Sequence, residues 1–401
     1  MALNRPAIDY SRACLDQSMK RRKLSIITYG GWFNTFQRPH HLAAFLGKHY
    51  ETCVINNVVR FPFRGYGYMA EQAALVDRIS NIYLLKEDER FPALKGINGV
   101  LAKLQTHFKF RTREFRDSEI VYTWHVEDIG YLRHCRGKLL IYDAMDDWSA
   151  FSAKVDQRLI DNETRIVERA DIVLAVSRKL YEKHVQLNKN TFLVPNGVDN
   201  DFFSQVPRYV KHESDALRRY RGKPVVGYVG GIHDWVDVDL IVETARLLPE
   251  VAFVLIGPAL KGIKPKLEGI PNLLYLGPKP YSELIGYMAY FSVGIIPFKL
   301  NLLNESTNPI KLYEYLGAGL PVVSTGMQEV VSHASAGIVY IANDPETFAA
   351  KIVEAIAMAD DRACIGERLK IAGQNSWASR ANLLLELIDP GIGAKTAEDH
   401  P

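Results

Sequence analysis

The chain has 401 residues, 47% hydrophobic and 24% charged, which excludes wholesale disorder and fits ordinary globular domains. At roughly 100–200 residues per domain, that length predicts two or three of them. A formal charge of +3, from 49 basic and 46 acidic residues, is too small for a nucleic-acid binder. Cys14, Cys53, Cys135 and Cys364 form no C-x-x-C pair, so neither a disulfide scaffold nor a zinc site is expected, and a reducing cytoplasm is the expected setting. No apolar run approaches the ~18–20 residues that span a bilayer. The segment before Leu24 is polar, unlike a signal peptide. Charge is unevenly spread: residues 1–205 hold 30 basic against 24 acidic residues, and residues 206–401 hold 19 against 22. Within the first 125 the count is 19 against 11, which predicts an anionic partner for the first half.

Short apolar runs alternate with helical stretches, the pattern of parallel α/β layers. Strands are expected over 24–29, 51–55, 82–85, 119–122, 139–143, 172–176 and 192–194, with helices over 39–46, 155–168 and 178–185 among them. The pattern restarts with strands over 225–229, 251–256, 273–276, 293–296, 322–324 and 338–341. Its helices are expected over 238–248, 282–291, 309–316 and 345–358, and residues 377–388 form the final periodic segment. Residues 199–223 are charged and aromatic without periodicity, which suits a linker. The expected architecture is two doubly wound, Rossmann-like domains, 1–205 and 206–375, with a cleft at the carboxyl ends of their strands. A closing helix over 376–388 and a disordered tail over 389–401 complete it.

The most informative stretch runs from Asn308 through Pro309, Lys311 and Glu314 to Gly317, Gly319 and Ser324. A proline opens a helix that two glycines end before a buried strand. An anion at that helix start would meet open N–H groups, the positive end of the dipole and Lys311. Glu314, one turn on, would accept hydroxyl donors from a ribose. The same residues also fit a capped surface helix with a solvated Lys and Glu. Gly30-Gly31, after the first strand, and Gly230-Gly231, after the strand that restarts the pattern, let backbone approach a phosphate or sugar, or simply make tight turns.

Together these motifs resemble GT-B glycosyltransferases, especially family-4-like enzymes of bacterial polysaccharide synthesis. The likeness also rests on Gly30-Gly31-Trp32, on Arg38-Pro39-His40-His41-Leu42-Ala43, and on Tyr142 to Phe151. That last segment resembles teichuronic-acid-type and lipid-acceptor glucuronosyltransferase relatives. Asp171, Ser177 and Val194-Pro195-Asn196-Gly197-Val198-Asp199 resemble the family's exit from its first domain, and Trp377 with Arg380-Ala381 its closing helix. The resemblance implies a metal-independent transfer from a nucleotide sugar, UDP-linked by default, without a cofactor. The acceptor would be a saccharide or a polyprenyl-diphosphate-linked saccharide. It places the ribose on Glu314 and the diphosphate on Lys311, with Asn308, Gly230, Gly231, Gly30 and Gly31 lining the donor site. Two departures stand out. Ser306 occupies the position of the first glutamate of retaining members, with Glu305 one residue off, which favours inversion. The loop Gly230-Gly231-Ile232-His233 lacks the Arg or Lys that often holds phosphate. A nucleotide-sugar epimerase and an inactive GT-B scaffold are the alternatives.

For the acceptor side, Asp143, Asp146 and Asp147 are expected at the carboxyl end of one strand. Mutual repulsion would raise at least one pKa towards proton-transfer use. Asp146 is the first candidate base, Asp147 the second and His125 the reserve; a helix cap near Trp148 is the competing role for each carboxylate. Residues 95–116 interleave Lys95, Lys103, Lys109, Arg111, Arg113 and Arg116 with Val100, Leu101, Leu104, Phe108 and Phe110. That pattern fits an anionic membrane surface, aided by Lys20-Arg21-Arg22-Lys23, or a helix packed on its domain. Gly65-Tyr66-Gly67 follows no strand and is set aside as a dinucleotide fingerprint. Asp237-Val238-Asp239 is read as a helix cap rather than a metal motif.

Overall fold

The computed structural model of the chain describes residues 21–28, 37–61, 76–85, 110–127, 129–150, 156–206, 217, 220 and 222–390. The chain divides into two compact units, Met1–Val194 with Ala381–Pro401, and Pro195–Arg380.

The first unit is built on a seven-stranded sheet. Its strands are β1 (Lys23–Thr28), β2 (Glu51–Phe61), β3 (Arg78–Leu85), β4 (Ile120–Thr123), β5 (Leu139–Ala144), β6 (Ile172–Ala175) and β7 (Thr191–Leu193). All pair in parallel in the order β3-β2-β1-β4-β5-β6-β7. Strands such as Ile120–Thr123 and Ile172–Ala175 are buried at every position, which explains their continuous apolar sequence. The order reverses between β1 and β4, the switch point outside whose strand ends such sheets bind ligands.

The second unit repeats the plan with six parallel strands. They are β8 (Val225–Val229), β9 (Ala252–Ile256), β10 (Leu273–Tyr275), β11 (Val293–Ile296), β12 (Val322–Ser324) and β13 (Val339–Ile341). The order is β10-β9-β8-β11-β12-β13, with its switch point between β8 and β11. The helix Ile310–Gly317 follows β11, and Tyr315 lies against Gly294 of that strand so closely that a Cβ there would stand 2.4 Å from its ring.

The helix Trp377–Ile388 begins in the second unit, where the Trp377 N–H donates to Val198 O at 3.0 Å, and from Ala381 on belongs to the first. Two expectations need correction. The division falls after Val194, not at 205, because Val198, Phe202, Phe203 and Val206 are buried in the core of the second unit. Asp389 is no part of a loose tail, since it accepts from Arg22 and, at 2.7 Å, from Tyr50 Oη. Residues 391–401 lie outside the described residues.

The helix Arg362–Gln374 was not anticipated, and its Arg368 explains why it docks. That side chain is wholly buried and donates to the carbonyls of Gly337, Gly319, Ala359 and Met358 at 2.6–3.1 Å. It satisfies carbonyls at the ends of helices and turns.

Candidate functional site

In the second unit the site begins where β8 ends. The N–H of Gly230 donates to Ile256 O at 2.8 Å, so this glycine continues the sheet rather than offering its N–H to a ligand. Its neighbour Gly257, at φ 143°, lies so close that a Cβ there would stand 1.9 Å from Gly230 O. Only glycine permits that approach. At Gly231 the N–H meets no partner among the described residues, while its carbonyl accepts from the buried Tyr228 Oη at 2.9 Å. Of the two glycines, Gly231 is therefore the one with a donor to offer.

Lys311 stands beside this turn: a Cβ on Gly230 would lie 3.1 Å from Lys311 Cε. Pro309 caps the helix from outside, with φ −75° and ψ 115°, instead of occupying its first turn. The N–H groups of Ile310 and Lys311 have no acceptor among the described residues. Lys311 Nζ donates to Glu314 Oε2 at 3.0 Å, one turn along the same face. Glu314 is 7% exposed, and its Oε1 makes no hydrogen bond among the described residues. A cation, open N–H groups and a half-committed carboxylate thus converge beside the switch point of the second sheet. That arrangement suits an anion joined to a diol.

Asn308 has a different role from the one expected. Its Oδ1 accepts from Asn196 N at 3.1 Å and its carbonyl from Asn196 Nδ2 at 2.7 Å, while its Nδ2 donates to Tyr313 Oη and to Glu329, both at 3.1 Å. With those bonds made, it is a strut that fixes the start of the unit against the helix Ile310–Gly317. Arg380 Nε donates to Asn196 O at 3.2 Å, and Val198 N to Asn375 O at 3.0 Å. Three segments singled out separately in the sequence meet here. Asp199, on the same strand exit, accepts from Phe202 N at 3.1 Å through Oδ1 and leaves Oδ2 buried without a partner. Burial, with the charges of Asp201 and Glu314 adding, pushes its carboxyl up to about 6. Ser306 is buried and Glu305 exposed. Asp237 caps the helix Val238–Leu247, accepting from Leu240 N at 3.0 Å, as expected.

In the first unit the three aspartates part company. Asp143 is fully buried within β5, receiving Arg38 Nε at 2.8 Å, Arg38 Nη2 at 2.9 Å and the Tyr122 hydroxyl. Asp147, the second candidate base, is committed to a turn and an ion pair. Ser149 Oγ donates to it at 2.6 Å, Ser149 N at 3.2 Å and Lys183 Nζ at 3.0 Å. Burial would raise its pKa, but these donors outweigh it and leave the carboxyl below its ordinary value. It is therefore a poor base. Among the described residues no helix starts near Trp148; the helix Gln157–Arg169 is capped by Asp156.

Asp146 alone makes no hydrogen bond or ion pair among the described residues. Burial, then the charges of Glu163 and Asp143, pushes its carboxyl up to about 6. Both of those neighbours are paired, Asp143 with Arg38 at 2.8 Å and Glu163 with Lys183 at 2.9 Å. The expected repulsion is present, but it comes from Glu163, seventeen residues away in sequence, and from Asp143 rather than from Asp147. His125 is 2% exposed and built into the core, its N–H on Thr123 Oγ1 at 3.1 Å, its carbonyl accepting from Tyr131 and its ring stacked with Tyr131. It does not stand as an acceptor-side group.

Gly30 and Gly31 lie outside the described residues, as does 95–109 of the basic segment. In its described remainder Arg111, Arg113 and Arg116 are exposed, whereas Phe110 packs into the core against Phe115. Arg21, Arg22 and Lys23 are engaged with Asp77, Glu119, Asp389, Glu51 and Asp117. Among the described residues no helix is long and apolar enough to cross a membrane. None of them forms a cluster of three or more His, Cys, Asp or Glu placed to hold a metal ion.

Residues 223–358 match the family model of glycosyl transferases group 1. The chain is 31% identical over 206 residues to the teichuronic acid biosynthesis glycosyltransferase TuaH of Bacillus subtilis, covering 47% of this chain and 50% of that protein. It is 26% identical over 256 residues to the D-inositol 3-phosphate glycosyltransferase of Corynebacterium urealyticum, covering 58% of each. The chain thus spans about half the length of the curated relatives it matches. Among solved structures it resembles Anabaena HepE in complex with UDP and glucose, with a TM-score of 0.63 at 16% identity over 92% of this chain and 99% of that one. It also resembles sucrose-phosphate synthase from Thermosynechococcus elongatus, with a TM-score of 0.65 at 14% identity over 93% of this chain and 100% of that one. Two doubly wound parallel sheets are the GT-B fold of such structures, and within the second sheet's unit residues 223–358 match the glycosyl transferases group 1 model.

Proposed function

We propose that the protein transfers a sugar from a nucleotide donor, UDP-linked, to a hydroxyl of a saccharide or lipid-linked saccharide. The carrying observation is the Lys311–Glu314 pair at a helix start with open N–H groups, inside the group 1 domain. In this reading Glu314 receives the ribose hydroxyls, while Lys311 and the N–H groups of Ile310 and Lys311 stabilise the departing diphosphate. Asp146 takes the proton from the acceptor hydroxyl. UDP is favoured because HepE was crystallised with UDP and glucose. A cell-surface polysaccharide setting is favoured by the name of TuaH. An anionic membrane surface would face the exposed Arg111, Arg113 and Arg116, and flotation with anionic against neutral liposomes tests it.

The decisive experiment is calorimetry with a panel of nucleoside diphosphates, followed by slow donor hydrolysis with the matching nucleotide sugars. Saturable binding of one diphosphate, with release of its sugar, supports the reading. Absence of binding across the panel refutes it.

A further inference from the structure

Among the described residues the donor site has one cation, Lys311, where two negative charges would sit. The loop after β8 supplies an additional donor. A Cβ on Gly231 would stand 2.9 Å from His233 Cδ2 and 3.3 Å from His233 Nε2, so the imidazole edge lies directly against the glycine whose N–H is unpartnered. The ring is stacked on Trp235, with centroids 4.5 Å apart and planes 5° from parallel. Its nitrogens make no hydrogen bond among the described residues.

The loop that carries it is fixed at several points. Ile232 N donates to Pro258 O at 2.8 Å, Val236 N to His233 O at 3.0 Å, and Asp237 N to Pro297 O at 2.8 Å. Asn304 Nδ2 and Lys299 N both donate to Trp235 O, at 3.0 and 2.9 Å. A half-buried ring held by stacking on an anchored loop, with both nitrogens uncommitted, has lost its rotational freedom without gaining a structural bond. Such an arrangement is preorganised for a ligand.

We infer that His233 is a diphosphate-binding residue: its imidazole N–H and the N–H of Gly231 hold the diphosphate at the β8 turn, together with Lys311. This rests on the proposed nucleotide-sugar donor. It also explains how a loop without Arg or Lys can serve that donor. The stack on Trp235 gives the ring a fixed plane, so one nitrogen faces the ligand without an entropic cost on binding. Tyr228, whose hydroxyl donates to Gly231 O at 2.9 Å, anchors the residue that carries that N–H.

The test is calorimetry on the full chain with UDP and, separately, uridine, comparing the parent with His233→Ala, His233→Gln and His233→Arg. His233→Ala is expected to weaken UDP binding by roughly three- to tenfold, the weight of one hydrogen bond to a charged group moderated by solvent access. Uridine affinity should stay unchanged. His233→Arg should hold UDP at least as tightly as the parent, and His233→Gln should fall between. Equal losses for UDP and uridine would show that the ring merely supports the loop, and unchanged UDP affinity in His233→Ala would remove it from the site. Either result overturns the inference. A parent protein that binds neither probe would instead refute the donor assignment itself.

Discussion

Truncating Lys311 to alanine probes the donor site most directly. A charge-assisted hydrogen bond to phosphate is worth ~1.5–3 kcal/mol. In the free protein that ammonium is already engaged with Glu314 at 3.0 Å, with 23% of the Lys311 side chain exposed. The pair is part-buried, and one three residues apart on a helix is worth on the order of 0.5 kcal/mol, so only that much of the phosphate contact is offset when the pair is shared with ligand. The net loss is then ~1–2.5 kcal/mol, or about one to two decades in the dissociation constant of UDP. Uridine carries no phosphate, and Glu314 Oε1 remains open in the variant, so uridine should bind as before. Calorimetry with both ligands reads the difference. UDP affinity unchanged by Lys311→Ala, or UDP and uridine affinities falling together, would refute the assignment.

Three further outcomes follow from the geometry. Asp146→Asn should leave UDP affinity intact and lower kcat by ~10²–10⁴, while the parent kcat/KM should fall as pH drops through about 6; steady-state pH profiles of both check this. Arg38→Met strands the fully buried Asp143 and should cost ~3–5 kcal/mol, seen as a lower midpoint in denaturant, with partial recovery when Asp143→Asn is added. Gly257→Ala drives a Cβ into Gly230 O at a positive φ, so it should destabilise the second unit and weaken UDP binding, measured by thermal unfolding and calorimetry together.

The strands were legible because parallel sheets buried on both faces read as unbroken apolar runs. Val225–Val229 and Val293–Ile296 were expected at those same bounds. Long-range side-chain commitments were not legible. Nothing local marks Asn308 as the partner of Asn196, or Glu163 and Lys183 as the neighbours that separate Asp147 from Asp146. The unit boundary was misplaced for a related reason. Polar and aromatic residues after Val198 look like a linker in sequence, yet Phe202 and Phe203 are buried in a core supplied by distant elements. Arg38 was visible within a motif, but its partner lies in β5, more than a hundred residues on.

The carboxylates of the first unit show why one of them stands apart. Asp143 is paired with Arg38, and Asp147 and Glu163 share Lys183. Among the described residues Asp146 has no such partner. With its folded pKa at about 6 against an ordinary 3.8, the native state binds its proton more tightly than the unfolded chain does. Its contribution to stability is therefore largest below pH 3.8 and is lost as pH rises through about 6. Above that, the charge destabilises the fold by ~1–3 kcal/mol, at 1.36 kcal/mol per pKa unit with solvent access reducing the upper figure. That cost is what the proposed role of Asp146 in proton transfer would account for, since carboxylates with shifted pKa values collect at functional sites.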